Sequence, residues 1–206
     1  MKRQRVVIAT TNRGKIREIA ELYRDIPVVW RAMSELGTSP VVVETGATFR
    51  ENARVKAEAI FRWSGLPTLA EDSGLEVDAL GGEPGVRSAR FAGERATDEE
   101  NVALLLKRLT GVPQGRRTAR FQTVTTLWWG GSGSGAQSDE AEGTCEGRIA
   151  FAPSGTSGFG YDPVFIPEGY EATFAELGPE VKNRLSHRSQ ALNRLRAAIL
   201  RRLEPR

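Results

Sequence analysis

Arg5-Val-Val-Ile-Ala9, apolar from Val6 to Ala9, reads as a buried strand that ends abruptly in a polar stretch, Thr10-Thr-Asn-Arg-Gly-Lys15. Immediately afterwards the period changes, and Ile16, Ile19, Leu22 and Tyr23 recur at helical spacing. A strand that turns directly into an amphipathic helix is how an α/β protein begins, and the rest of the chain repeats the alternation. Residues 40–44 read as a short strand, and Thr48-Phe-Arg-Glu51 is a capping box that opens a helix through about Trp63. Residues 67–70 read as a strand that ends at Glu71-Asp72-Ser73-Gly74, and a second capping box, Thr97-Asp-Glu-Glu100, opens a helix that stops near Gly111. Residues 120–129, rich in β-branched and aromatic side chains, read as a long strand whose partner is 142–151. The Gly/Ser run at 130–135 between them reads as a flexible hairpin tip. Leu192, Leu195, Ile199 and Leu203 line one face of a last helix beginning at Ser186. The fold class is therefore α/β, with a mixed sheet flanked by helices. The 206 residues suit a single domain.

Composition removes several chemistries. Cys145 and His187 are the only residues of their kinds, so there is no intrachain disulfide and no Cys- or His-rich zinc centre. A metal would be held by carboxylates, which favours Mg²⁺, Mn²⁺ or Ca²⁺. Lys and Arg number 29 against 26 Asp and Glu, a net charge of +3, with basic residues collected at the two ends rather than in a concentrated stripe with interleaved aromatics. This argues against a nucleic-acid partner. No run approaches the ~20 apolar residues that span a bilayer, and no secretory leader is present, so a cytoplasmic protein with no membrane partner is expected.

Four segments could carry chemistry. Thr10, Thr11, Asn12, Arg13, Gly14 and Lys15 put free backbone N–H groups, hydroxyls and an ammonium at a helix start, which suits a phosphate, although an ordinary polar N-cap uses the same residues. It is not a Walker A loop, because Ala9 and Ile16 stand where that pattern needs Gly and Ser or Thr. Glu71 and Asp72 are adjacent on a strand, so they point to opposite faces; one can serve a metal or water while the other supports it or meets solvent. Glu51 is explained by its capping box, and Lys56 could simply be exposed. In Gly155-Thr-Ser-Gly-Phe-Gly-Tyr-Asp-Pro163, glycines permit close backbone approach, Phe159 and Tyr161 offer flat faces for a base, and Asp162 can accept from ring N–H groups. Ser186 can cap the last helix, which leaves His187 and Arg188 in its first turn, where cations oppose the helix dipole unless an anion or acceptor meets them.

In this order the segments resemble the inosine triphosphate pyrophosphatase family, also called dITP/XTP pyrophosphatases. The matching pieces are the run 10–15, Glu44-Thr-Gly-Ala-Thr-Phe-Arg-Glu-Asn-Ala53, Ala70-Glu-Asp-Ser-Gly-Leu75, Gly81-Gly-Glu-Pro-Gly85, Gly158-Phe-Gly-Tyr-Asp-Pro163 and Ser186-His-Arg188. The resemblance spans roughly positions 5 to 200 of the chain. It implies an elongated mixed sheet with two lobes around a central nucleotide-binding cleft, and a homodimer. It implies hydrolysis of ITP, dITP and XTP to the monophosphate and pyrophosphate with Mg²⁺ as cofactor. By the same resemblance, residues 10–15 hold the triphosphate, Glu44 and Asp72 bind Mg²⁺, and Asp72 is the proton acceptor. Ser73, Phe159, Gly160, Tyr161, Asp162, Lys182, His187 and Arg188 then contact the substrate. Val43 stands where many members carry a second acid, which leaves Glu44 as the available one, and Thr11 where Gly is common.

The physics is consistent with that assignment. A free carboxylate has a pKa near ~4 and is a weak base at neutral pH, but a divalent ion lowers the pKa of water, so Asp72 need only orient it and take a labile proton. Hypoxanthine and xanthine present a 6-oxo acceptor where adenine presents an amino donor. Donors such as Lys182, His187 or Arg188 reward the first, and polar complementarity of this kind discriminates by about 10⁴. Two rival readings are a pyrophosphatase that prefers pyrimidine triphosphates and a non-catalytic nucleic-acid-binding module.

Overall fold

A computed structural model describes residues 4–130, 135 and 137–203. The element order is β1 (Arg5–Ile8), α1 (Arg13–Leu22), β2 (Val29–Ala32), α2 (Phe49–Ser64), β3 (Thr68–Val77), α3 (Asp98–Arg108), β4 (Thr118–Gly130), β5 (Gln137–Ile149), β6 (Phe165–Pro167), α4 (Phe174–Leu185) and α5 (His187–Leu203). Six strands form one sheet in the order β2-β1-β3-β4-β5-β6. It is mixed: β1 pairs parallel with β2 and with β3, whereas β5 pairs antiparallel with β6. The expected α/β class with helices flanking a mixed sheet is what the chain adopts.

The residues pack as two compact units. The first takes the chain up to Asp72, Val124–Glu142 and the chain from Gln190; the second takes Ser73–Thr123 and Gly143–Ser189. In the first unit, strand alternation sorts side chains to two cores. Val6, Ile8, Leu69 and Leu127 pack with Ile19 and Tyr23 of α1 and with Leu192, Leu195 and Ile199 of α5. Val7, Ala9, Ala70 and Trp128 pack on the other face with Ala57 and Ile60 of α2. The second unit has one core, where Leu75, Val77, Phe121, Cys145 and Phe165 meet Val102, Leu105 and Leu109 of α3 and Phe174 of α4. Burial drives the Cys145 thiol up to about 12, so it stays protonated on its strand and is no nucleophile.

Several sequence expectations need correction. Residues 40–44 are not a strand: Val41 and Val43 are 92% and 68% exposed. Only Val42 packs inward, against the α2-side core, so the alternation holds without a ladder. Strand β3 does not end at Glu71 but runs to Val77, because Leu75 and Val77 are needed in the second unit's core. The long strands begin and end slightly away from their expected bounds, and Phe151 lies beyond β5, 63% exposed beneath the Arg117 guanidinium. Strands β2 and β6 and helix α4 were not anticipated. Most of the Gly/Ser tip lies outside the described residues. Both anticipated capping boxes form, at Thr48–Glu51 and Thr97–Glu100.

Candidate active site

In the first unit, the turn after β1 is shaped by its own side chains. Thr10 Oγ1 accepts from Asn12 N at 3.1 Å, and Asn12 Oδ1 accepts from Lys15 N at 3.0 Å, so Asn12 is the N-cap of α1. Arg13 and Gly14 follow in the first helical turn. Lys15 reaches back over the strand, with its Nζ 3.2 Å from Glu71 Oε1. Glu71 and Asp72 are only 2% and 6% exposed, so neither of the adjacent acids turns to solvent.

Helix α2 supplies the partners of these acids. Asn52 and Lys56, one turn apart, lie along the same side of the helix. Asn52 Nδ2 donates to Asp72 Oδ2 at 3.0 Å. Lys56 Nζ is 2.8 Å from Glu44 Oε1 and donates to the Glu71 carbonyl at 3.1 Å. Burial pushes the Asp72 carboxyl above the usual carboxylate range; the Lys56 charge, the Asn52 hydrogen bond and the Lys15 charge oppose this, and the Glu44 charge adds to it. Glu44 and Asp72 therefore share one electrostatic neighbourhood, joined through Lys56. A cavity of about 320 Å³ opens beside Glu44, lined by Thr10, Thr11, Met33, Val42, Glu44 and Lys56. Sequence reasoning set Lys56 aside and did not single out Asn52; their spacing of four from a capped helix start was the available signal.

A second cluster lies in the second unit. Asp162 holds the glycine-rich loop: its Oδ2 accepts from Phe159 N at 2.9 Å and from Lys182 Nζ at 2.5 Å. At Gly158 (φ 85°) a Cβ would strike the Asp162 carboxyl, and at Gly155 (φ 83°) it would strike the Ala175 backbone, so the loop lies where only glycine fits. Lys182, 4% exposed on α4, sits 4.3 Å over the Phe159 ring centroid, and the Arg188 guanidinium lies 5.7 Å from the same centroid. Arg188 Nη2 also donates to Ser73 Oγ at 3.4 Å. Ser186 caps α5 by accepting from Ser189 N at 3.2 Å, which places His187 and Arg188 in the first turn. Phe159, Asp162, Lys182, Arg188 and Ser73 are thus brought together. Beside them, Tyr161 is a core residue whose hydroxyl donates to Ser88 O at 2.9 Å, and the His187 ring stacks on Phe121 with centroids 4.8 Å apart. Gly160 is tied down by its N–H, which donates to Asp98 at 2.7 Å.

The Ham1 family model matches residues 6–198. The chain belongs to the Ham1 family. A dITP/XTP pyrophosphatase of Geobacillus kaustophilus is 50% identical over 190 residues, covering 92% of this chain and 91% of its own. A dITP/XTP pyrophosphatase of Methylococcus capsulatus is 49% identical over 199 residues, covering 95% and 98%. Among solved structures, a HAM1 protein from Coxiella burnetii superposes with a TM-score of 0.85 at 39% identity, covering 96% of this chain and 99% of its own. The Ham1 match covers both clusters, from the turn at residues 10–15 to Arg188.

The donor set near Glu44 and Asp72 fits a hard divalent cation. Its donors are carboxylate oxygens with no thiolate or imidazole among them, and among the described residues no cluster of three or more protein ligands exists. Mg²⁺ is typically bound in this way, by one or two carboxylates with the substrate's phosphates and waters completing its shell.

Proposed function

We propose that this Ham1 protein is a hydrolase of the phosphoanhydride bond in non-standard purine nucleoside triphosphates, converting dITP, ITP and XTP to the monophosphate and pyrophosphate. The observation that carries the reading is the grouping of Glu44, Asp72, Lys15 and Lys56 beside residues 10 and 11: two acids of one neighbourhood with two ammonium groups within reach. The substrate class comes from what the relatives are named for.

Glu44 and Asp72 would hold Mg²⁺, which when bound neutralises phosphate charge and makes water more acidic. Lys15 and the N–H groups at the start of α1 take phosphate oxygens, as helix N-termini do. Lys56 keeps Glu44 oriented and adds positive charge. Asp72, held by the Asn52 amide, accepts the proton of the attacking water. In the second unit, the Phe159 face takes the purine, and Lys182 and Arg188 supply donors that suit a 6-oxo group and oppose a 6-amino group.

The reading extends to a homodimer in the cytoplasm, with neither nucleic acid nor membrane as partner. No helix among the described residues is long and apolar enough to cross a membrane. Pyrophosphate release from ITP, dITP, XTP, ATP and dTTP, with and without Mg²⁺, tests the enzyme, and sedimentation tests the dimer. Mg²⁺-dependent turnover of the first three well above ATP and dTTP supports the reading. A preference for dTTP would favour a pyrimidine enzyme, and steeply salt-dependent nucleic-acid binding without turnover would favour a binding module.

A further inference from the structure

Asn52 is 0% exposed and uses both ends of its amide on two separate segments of the first unit. Its Oδ1 accepts from Gly46 N at 2.8 Å, and its Nδ2 donates to Asp72 Oδ2 at 3.0 Å. The orientation is forced, because a backbone N–H can only donate and an ionised carboxylate can only accept. One side chain therefore ties the strand carrying Asp72 to the loop carrying Glu44, two residues before Gly46. The contact is close: a Cβ on Gly46 would lie 2.7 Å from Asn52 Oδ1 and 2.7 Å from Glu51 Cβ. The loop thus rests its backbone directly on the amide. Helix α2 is itself fixed by the Thr48–Glu51 box, and Glu51 Oε2 accepts from Ala47 N at 2.8 Å in the same loop.

Taking Glu44 and Asp72 as carboxylates that share one divalent ion, as the functional reading above does, we propose that Asn52 is a positioning residue that presets both before the ion arrives. Without it, Asp72 Oδ2 loses the Nδ2 donor and the Glu44 loop loses the acceptor of Gly46 N. No hydrocarbon side chain does either job, and a carboxylate cannot donate to Asp72. Groups that orient metal ligands from behind typically cost about 10–100-fold in affinity or activity when removed.

The test uses Mn²⁺ as probe, titrated into the nucleotide-free protein and followed by the electron paramagnetic resonance of the free ion, together with kcat and KM for ITP at saturating Mg²⁺. Asn52→Ala is expected to weaken Mn²⁺ binding about 10-fold and lower kcat about 10–100-fold, with KM for ITP little changed. Gly46→Ala, which retains both hydrogen-bonding partners but crowds the amide, is expected to shift the same two quantities in the same direction. Combined, the two substitutions should fall short of the sum of their separate effects, because they share the Gly46–Asn52 contact. If Asn52→Ala does not fold, Gly46→Ala decides. Wild-type Mn²⁺ affinity and kcat in the folded variants, with only a lowered melting temperature, would make Asn52 a packing residue and overturn the proposal. A wild-type protein that neither binds Mn²⁺ nor turns over ITP overturns the functional reading, and this inference with it.

Discussion

At Asp72 two tendencies compete. Burial raises its pKa above 3.8, and the two lysines and Asn52 only partly offset this. A folded-state pKa above the unfolded one means that the protonated form is held more tightly in the native protein. The cost of ionisation is absent below the ordinary carboxylate range and appears as pH rises through the raised value. Asp72→Asn removes that cost, so in metal-free protein at neutral pH the melting temperature should hold or rise, while ITP turnover falls about 10²–10⁴-fold. Thermal melts and pyrophosphate release on one preparation check both; near wild-type turnover would remove Asp72 from the chemistry. Arg188 carries a different prediction. It is 1% exposed, held between the Phe159 face and Ser73 Oγ, and has no part in the Lys15–Glu71 and Lys56–Glu44 pairs. Arg188→Ala should therefore narrow the ITP-to-ATP ratio of kcat/KM more than it lowers affinity for a bare triphosphate. Equal losses with both nucleotides would assign Arg188 to the phosphates.

Among the elements, what could be read from the sequence was what local rules specify. Thr48-x-x-Glu51 and Thr97-x-x-Glu100 announced α2 and α3, and the β-branched runs announced β1 and β4. Ser186 capping α5 was also legible, and with it the odd placement of His187 and Arg188 at a helix start. Helix α4 was missed although Thr173-x-x-Glu176 is a capping box of the same kind, because Gly178 (φ 78°) and Pro179 interrupt its periodicity. The 40–44 segment misled in the other direction: three consecutive valines next to a capping box look like a strand, yet nothing local reveals whether a ladder partner exists. For the candidate site, the acids and glycines could be named from order and spacing. Asn52 and Lys56 left only their spacing of four from a capped helix start as a signal, since the docking of α2 on β3 is what gives them partners. That docking makes the helix start consequential. Thr48 Oγ1 accepts from Glu51 N at 3.2 Å, and Thr48→Ala should cost about 1 kcal/mol, read as a lower urea midpoint with an unchanged slope.

Taken whole, the molecule separates what folds it from what the site does. Its three cores are built from aliphatic and aromatic side chains in both units, and none includes Glu44, Asp72, Lys15 or Lys56. The charges of the site are instead matched to one another: Glu71 by Lys15, Glu44 by Lys56, Asp72 by Asn52 and the two ammonium charges. A protein whose native state needed a metal would leave its carboxylates without such partners, as small zinc domains do with their thiolates. Here the fold should persist without the ion while the chemistry should not. Chelation is therefore expected to abolish ITP turnover and leave the far-ultraviolet dichroism unchanged. Stability should fall only by the linkage of binding, about 2.7 kcal/mol at a ligand concentration of 100 times Kd, read as a lower melting temperature. Restoring Mg²⁺ should recover activity at once, without a refolding phase. Loss of dichroism on chelation would mean that the ion is structural, and the Lys56 bridge between the acids would then be too weak to stand in for it.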